Sequence, residues 1–203
     1  MRAASVLPST AKAWLSVLLV LAGLGAVGQA SWIHAKAITA QWLLDRTWAR
    51  LQAGAVEARP WPWADTAPVA ELTVPRLDRR LLVLAGASAR TLAFGPAHVA
   101  GSAPVGHYGN TILTGHRDTH FAFLRELVPG DVVEMRDRDG RLASYRIESS
   151  TVVHIDDLRL YRDAGRRELT LVTCFPFDAL RPGGPLRYVV RAAVQRSSAW
   201  DRG

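Results

Sequence analysis

One thiol is available to this 203-residue chain, at Cys174 in the run Glu168-Leu-Thr-Leu-Val-Thr-Cys174-Phe-Pro-Phe-Asp178. A lone cysteine closes no internal disulfide and supplies no Cys/Cys zinc pair. Two roles remain: a small buried hydrophobe, or a nucleophile that attacks as the thiolate. Leu169 to Thr173 are apolar or β-branched and predict a strand. Pro176 cannot donate to a ladder and should stop it, which puts the thiol at a strand end on the rim of a sheet. With period two, Thr170, Val172 and Cys174 share one face, and Leu169, Leu171 and Thr173 the other.

A thiolate needs a base or a cation nearby. Of the six histidines, His34, His98, His107, His116, His120 and His154, His116 has the most suggestive context. It closes Asn110-Thr-Ile-Leu-Thr-Gly-His116, whose alternation predicts a second strand with Ile112, Thr114 and His116 on one face. Gly115 lets another backbone come close. The plain alternative is a surface histidine at a turn. His116 and His120 also have the spacing of a helical metal pair, but further ligands are lacking and Gly115 opposes a helix there, so no metal is expected. Downstream, Arg187-Tyr-Val-Val-Arg-Ala-Ala-Val194 alternates as a strand. If it pairs antiparallel with the Cys174 strand around 175–186, Arg187 stands opposite Cys174, with Cβ atoms roughly 5 Å apart. A guanidinium beside a thiol favours the thiolate and can donate to an oxyanion. Arg181 lies in the loop without that constraint, and Arg191 is four residues, roughly 13 Å, up the strand. The alternative for Arg187 is an ordinary edge-strand arginine.

The elements that must hold these residues are short strands, expected at Leu72–Val74, Arg80–Leu84, Asn110–Gly115, Asp131–Met135, Leu142–Val153, Leu169–Cys174 and Leu186–Val194. Turn signals separate them, including Pro129-Gly130, Asp139-Gly140 and Pro182-Gly-Gly-Pro185. Phe121–Leu127 has room for one or two helical turns. Such a pattern predicts a mainly β domain, a barrel or a sandwich.

Ahead of it, Ala13 to Ala30 is uncharged and long enough to span a bilayer. Trp14 and Trp32 bracket it, 18 residues or roughly 27 Å apart along a helix, as an aromatic belt would. An uncleaved anchor with the N-terminus inside is preferred. A signal peptide cut after Gly28-Gln-Ala30 is the competing reading, and both export the rest of the chain. Ile33, Ala37, Ala40, Leu44, Trp48 and Leu51 form a helical stripe, read as a stalk lying on the membrane surface without a specific partner, and 53–70 is read as a Pro-rich linker. The resulting division is 1–12 cytoplasmic, 13–33 anchor, 34–70 stalk and linker, 71–196 catalytic domain and 197–203 tail. Hydrophobic residues at 49% and charged residues at 21% suit a packed core. The net charge of +7 is nearly all arginine, with lysine only at Lys12 and Lys36. The basic residues are scattered and no nucleic-acid module is present, which argues against a nucleic-acid partner.

Thr170-Leu-Val-Thr-Cys174, with Gly115-His116-Arg117 upstream and Arg187 thirteen residues downstream, resembles the sortase family over roughly 71–194. The wording Thr-Cys-Phe-Pro-Phe-Asp and the compact size are most similar to sortases of Gram-negative bacteria, near class D. The resemblance implies an eight-stranded β-barrel with short helices behind one N-terminal transmembrane helix, in the bacterial inner membrane, with the catalytic domain in the periplasm or otherwise extracytoplasmic. It implies a cysteine transpeptidase without cofactor, in which Cys174 is the nucleophile, His116 the general acid and base and Arg187 the oxyanion stabiliser. Thr114, Val172 and Thr173 would line the substrate groove and 154–167 its variable wall. The implied partners are a secreted protein with an LPxTG-like C-terminal sorting signal and an amine acceptor. Two other readings stay open: a cysteine endopeptidase with water as acceptor, and a membrane-tethered barrel that only binds peptide or glycan.

Overall fold

A computed structural model describes residues 9–160, 165–179, 181 and 183–195. Residues 1–8 of the expected N-terminal segment, the expected C-terminal tail, residues 161–164 of the expected groove wall and the turn residue Pro182 lie outside the described residues, as do the side chains of Lys12 and Ile33.

Eight strands close a barrel: β1 (Pro68–Val74), β2 (Arg79–Ala85), β3 (Ala97–His98), β4 (Gly109–Thr114), β5 (Val132–Asp137), β6 (Leu142–His154), β7 (Arg167–Phe175) and β8 (Leu186–Val194). Their order around the barrel is β1-β2-β3-β4-β7-β8-β6-β5, and β5 returns to β1. Neighbours are antiparallel except β2–β3 and β4–β7. Seven of the eight match expected strands within a few residues. The two-residue β3 is too short for its alternation to be read. Pro176 ends β7 at Phe175, one residue later than expected. Asp139 and Gly140 turn β5 into β6, with Gly140 at φ 81°, where a Cβ would be strained. The turns expected over Phe121–Leu127 form one 3-10 helix, Ala122–Glu126.

Period two separates two apolar clusters. Leu169 and Leu171 of β7 face inward and pack with Leu113, Val190, Ala192, Tyr145 and Phe121. The opposite faces of the same strands place Ile112, Val172 and Val189 in a second cluster, against which Val99, Val153, Leu158 and Leu160 pack. Cys174 belongs to this outer face, two residues beyond Val172.

A helix, α1, runs over Ser9–Gln52. Its residues up to Gln41 and the chain from Trp42 onward fall into two compact units. The N-terminal unit is long and apolar enough to cross a membrane, and its most apolar stretch is unburied. In the second unit Leu44, Trp48 and Leu51 pack on Leu82 and Leu84 of β2. The C-terminal part of the stripe is therefore covered by the barrel, which corrects the reading of it as a membrane-surface stalk. The stretch after the helix is also less free than a linker. Ala64 and Thr66 are buried, the Thr66 hydroxyl donates to the Ala85 carbonyl at 2.8 Å, and Trp61 packs on Phe94.

Candidate active site

Cys174 is half-buried, while Val172, on the same face of β7, is 5% exposed. The thiol thus stands where the outer apolar cluster gives way to the barrel rim. On one side β8 pairs antiparallel with β7, and Arg187 is the residue opposite Cys174. Arg191 stands opposite Thr170, further from the rim, and Arg181 is exposed in the β7–β8 connection.

On the other side β4 runs parallel to β7, each residue facing the one 58 positions later, from Gly109 opposite Arg167 to Thr114 opposite Val172. The pairing continues past the end of β4. Gly115 N–H donates to the Val172 carbonyl at 3.3 Å, and the Thr173 hydroxyl donates to the Gly115 carbonyl at 2.7 Å. The next residues on the two chains are His116 and Cys174. Cys174 and Arg187 are therefore paired across β7 and β8, and His116 follows two residues past the tip of β4, at the same end of the barrel.

His116 is exposed, and its carbonyl accepts from Phe121 N–H at 2.9 Å, closing the turn that follows. This turn brings His120 back beside it. Burial holds the His120 imidazole below the ordinary histidine range, charge on His116 acts in the same direction, and Asp118 opposes both. The other histidines lie elsewhere: His98 meets Ser102 and the Ala103 carbonyl, both at 3.0 Å, and His154 meets Asp156 at 3.2 Å. Among the described residues no three His, Cys, Asp or Glu side chains are placed to share a metal ion. A pocket of about 270 Å³ is lined by Val69, His98, His107 and Arg138 among others, and none of its lining residues is His116, Cys174 or Arg187.

The groove residues separate. Thr114 is half-buried opposite Val172, on the Cys174 face. Val172 lies in the cluster against which Leu158 and Leu160 pack, so these two residues cover part of this face. Thr173 is 2% exposed on the inward face and its hydroxyl is committed to Gly115. The geometry removes it from the groove and makes it a tie between β7 and β4. Gly115 is crowded from two sides. The β7 backbone does come close, through the Val172 carbonyl, and the buried Phe121 ring comes closer still, 2.9 Å from where a Cβ would stand.

Two tie-points had no sequence signal because their partners are backbone carbonyls. Arg187 Nη1 donates to the carbonyls of Gly184 and Leu186 at 2.7 and 2.9 Å. Arg117 Nη2 donates to those of Ala179 and Arg181 at 2.8 and 3.0 Å.

A closed eight-stranded barrel with a cysteine on the rim strand defines a class. The Sortase domain family model matches residues 72–195, and the chain belongs to the sortase family. It is 31% identical over 120 residues to Sortase D of Bacillus subtilis (strain 168), covering 59% of this chain and 60% of that one; this fits a class D-like member. The match thus spans about three fifths of that relative's length. Among solved structures, Sortase A from Corynebacterium diphtheriae superposes with a TM-score of 0.60 at 27% identity, over 67% of this chain and 64% of that one. A Clostridium perfringens Sortase D5 transpeptidase superposes with a TM-score of 0.64 at 18% identity, over 78% of this chain and 99% of that one, and shares the fold.

Proposed function

We propose that this protein is a membrane-anchored cysteine transpeptidase acting on an LPxTG-like C-terminal sorting signal of a secreted protein. The observation that carries the reading is the convergence at one barrel end of Cys174 on β7, Arg187 opposite it on β8, and His116 just past the tip of β4. The Cys174 thiolate attacks the carbonyl carbon of the scissile peptide bond and forms a C–S bond. Negative charge develops on the carbonyl oxygen. Arg187 Nη1 serves the Gly184 and Leu186 carbonyls, so in this reading Nε and Nη2 are the donors to the oxyanion. Collapse breaks the C–N bond, and His116 gives its proton to the departing amine. An incoming amine then attacks the thioester, passes a proton to His116 and releases the thiolate. The outer face with Thr114 leads substrate to the thiol.

The test is product analysis of an LPxTG-type peptide with and without an added amine, using the wild type and Cys174→Ala. Amine-dependent ligation lost in Cys174→Ala supports the proposal. Hydrolysis unchanged by amine replaces it with the endopeptidase reading. That alternative has one observation in its favour: His116 is exposed and Cys174 only half-buried, so water reaches both. The same half-burial speaks against a purely structural cysteine in a binding-only barrel. The apolar N-terminal helix supports an anchor with the catalytic domain outside the inner membrane.

A further inference from the structure

The β7–β8 connection carries the proposed nucleophile at one end and the proposed oxyanion donor at the other, so its placement sets their geometry. Its first part is held from inside the barrel. Phe177 packs against the core and meets Tyr188 edge-on at 5.2 Å and Phe175 at 6.2 Å, with the Arg125 guanidinium 5.9 Å from its ring. Its last part is held by Arg187 itself, through the Gly184 carbonyl. The middle is held by one side chain from another strand's end. Arg117 Nη2 reaches the carbonyls of Ala179 and Arg181. A charged donor makes such bonds roughly twice as strong as a neutral one. Arg117 is also the residue after His116. The same short stretch of chain therefore presents the proposed acid and grips the loop that ends in Gly184 and Arg187.

We propose that Arg117 is a positioning residue: it locks the β7–β8 connection to the β4 tip, so that His116 and the Cys174–Arg187 pair keep one geometry. The inference rests on the catalytic reading above, but the clamp can be measured without it. A residue that binds substrate equally in ground and transition states changes KM. One that aligns reacting groups changes kcat.

The experiment compares Arg117→Ala and Arg117→Lys with the wild type in two ways. Hydrogen exchange is followed at the amides between Phe177 and Leu186, with β7 and β8 as internal controls. Steady-state turnover of an LPxTG-type peptide plus an amine is measured alongside. In Arg117→Ala, exchange in the connection should rise by about 10-fold or more, as expected from losing bonds to a charged donor. The strands should keep their protection. The kcat should fall by about 10- to 100-fold, with KM within about threefold. Arg117→Lys should recover most of both effects, since the two carbonyls share one nitrogen and an ammonium also offers several hydrogens from one point. Unchanged exchange in both variants overturns the clamp, whatever the kinetics. A raised KM at unchanged kcat overturns positioning in favour of substrate contact. If Arg117→Ala does not fold, Arg117→Gln, which keeps much of the side-chain bulk and loses the charge, takes its place: loss of protection confined to the connection supports the clamp, and wild-type protection there overturns it. If the wild type ligates nothing, the catalytic reading falls while the exchange arm still decides the clamp.

Discussion

Thr173 and Gly115 are joined by a 2.7 Å hydrogen bond from the threonine hydroxyl to the glycine carbonyl. Each is the residue immediately before a proposed catalytic one, so this bond sets the level of His116 against Cys174. Thr173→Val keeps the shape and removes the donor, leaving a carbonyl unsatisfied at a buried position. The expected cost is about 1–3 kcal/mol. Gly115→Ala drives a methyl group into the fully buried Phe121 ring, which costs about 1–3 kcal/mol as overpacking. Urea denaturation reads both. Wild-type midpoints for the pair would show that the tie between β4 and β7 is made elsewhere.

The two neighbouring histidines separate by exposure: His116 is exposed and His120 half-buried. Burial and charge on His116 hold His120 below the ordinary range and so disfavour its charged form. Peptide turnover should be lost in His116→Ala and largely retained in His120→Ala and His107→Ala. Equal loss in His116→Ala and His120→Ala would make the histidines act as a unit.

Arg187→Ala should lower turnover by about 10²–10³-fold, as removal of an oxyanion-hole donor does. Arg187→Lys should recover only part, since a point charge replaces a planar fork. Arg181→Ala and Arg191→Ala should leave the chemistry near wild type, being exposed in the connection and opposite Thr170 respectively. Alkylation of Cys174 should persist in Arg187→Ala. Loss of turnover confined to Arg181→Ala or Arg191→Ala would reassign the oxyanion donor.

Acid stability should depend on Asp131. Its carboxylate accepts from Arg76 Nε and Nη2 at 2.6 and 2.7 Å and from Val128 N–H at 2.8 Å. The Arg76 bonds and the Val128 amide hold its carboxyl below the usual range against the opposing effect of burial. A depressed folded-state value means that the stabilisation is complete above the unfolded value, about 3.9, and fades as pH falls through the folded one. Urea midpoints of the wild type should therefore drop below about pH 4. Asp131→Asn should start lower and lose less over the same range. Parallel curves would exclude this pair as the source.

A reporter joined to the C-terminus should be active only in the exported compartment. N-terminal sequencing of the mature protein should find no cut before Ser31. A mature terminus at Ser31 would turn the proposed anchor into a cleaved signal.

Much of this architecture is legible from alternation. Leu169 to Thr173 divide into inward and outward sets that the two apolar clusters reproduce, and the loop length between Cys174 and Arg187 is enough to place them opposite each other. The parallel β4–β7 register is not legible in the same way, because no turn joins the strands and nothing local fixes their offset. The threonine before Cys174 was read as a groove residue since a hydroxyl gives no sign of which partner it has. Arg117 was visible beside His116 but carried no signal, as backbone carbonyls accept from any donor in reach. Leu44, Trp48 and Leu51 show a stripe in either setting, and periodicity cannot say whether lipid or β2 covers it.

The parallel pairing of β4 with β7 also fixes when the protein can begin to work. These strands are not sequence neighbours; β5 and β6 intervene in the chain and close the barrel through β8 on one side and β1 on the other. Contacts so distant in sequence form late, after the entropy of closing long loops has been met. A chain still folding carries His116 and Cys174 apart until β7 has docked on β4. The proposed reactive centre is thus a product of complete folding, and a partly folded molecule holds a thiol without its histidine.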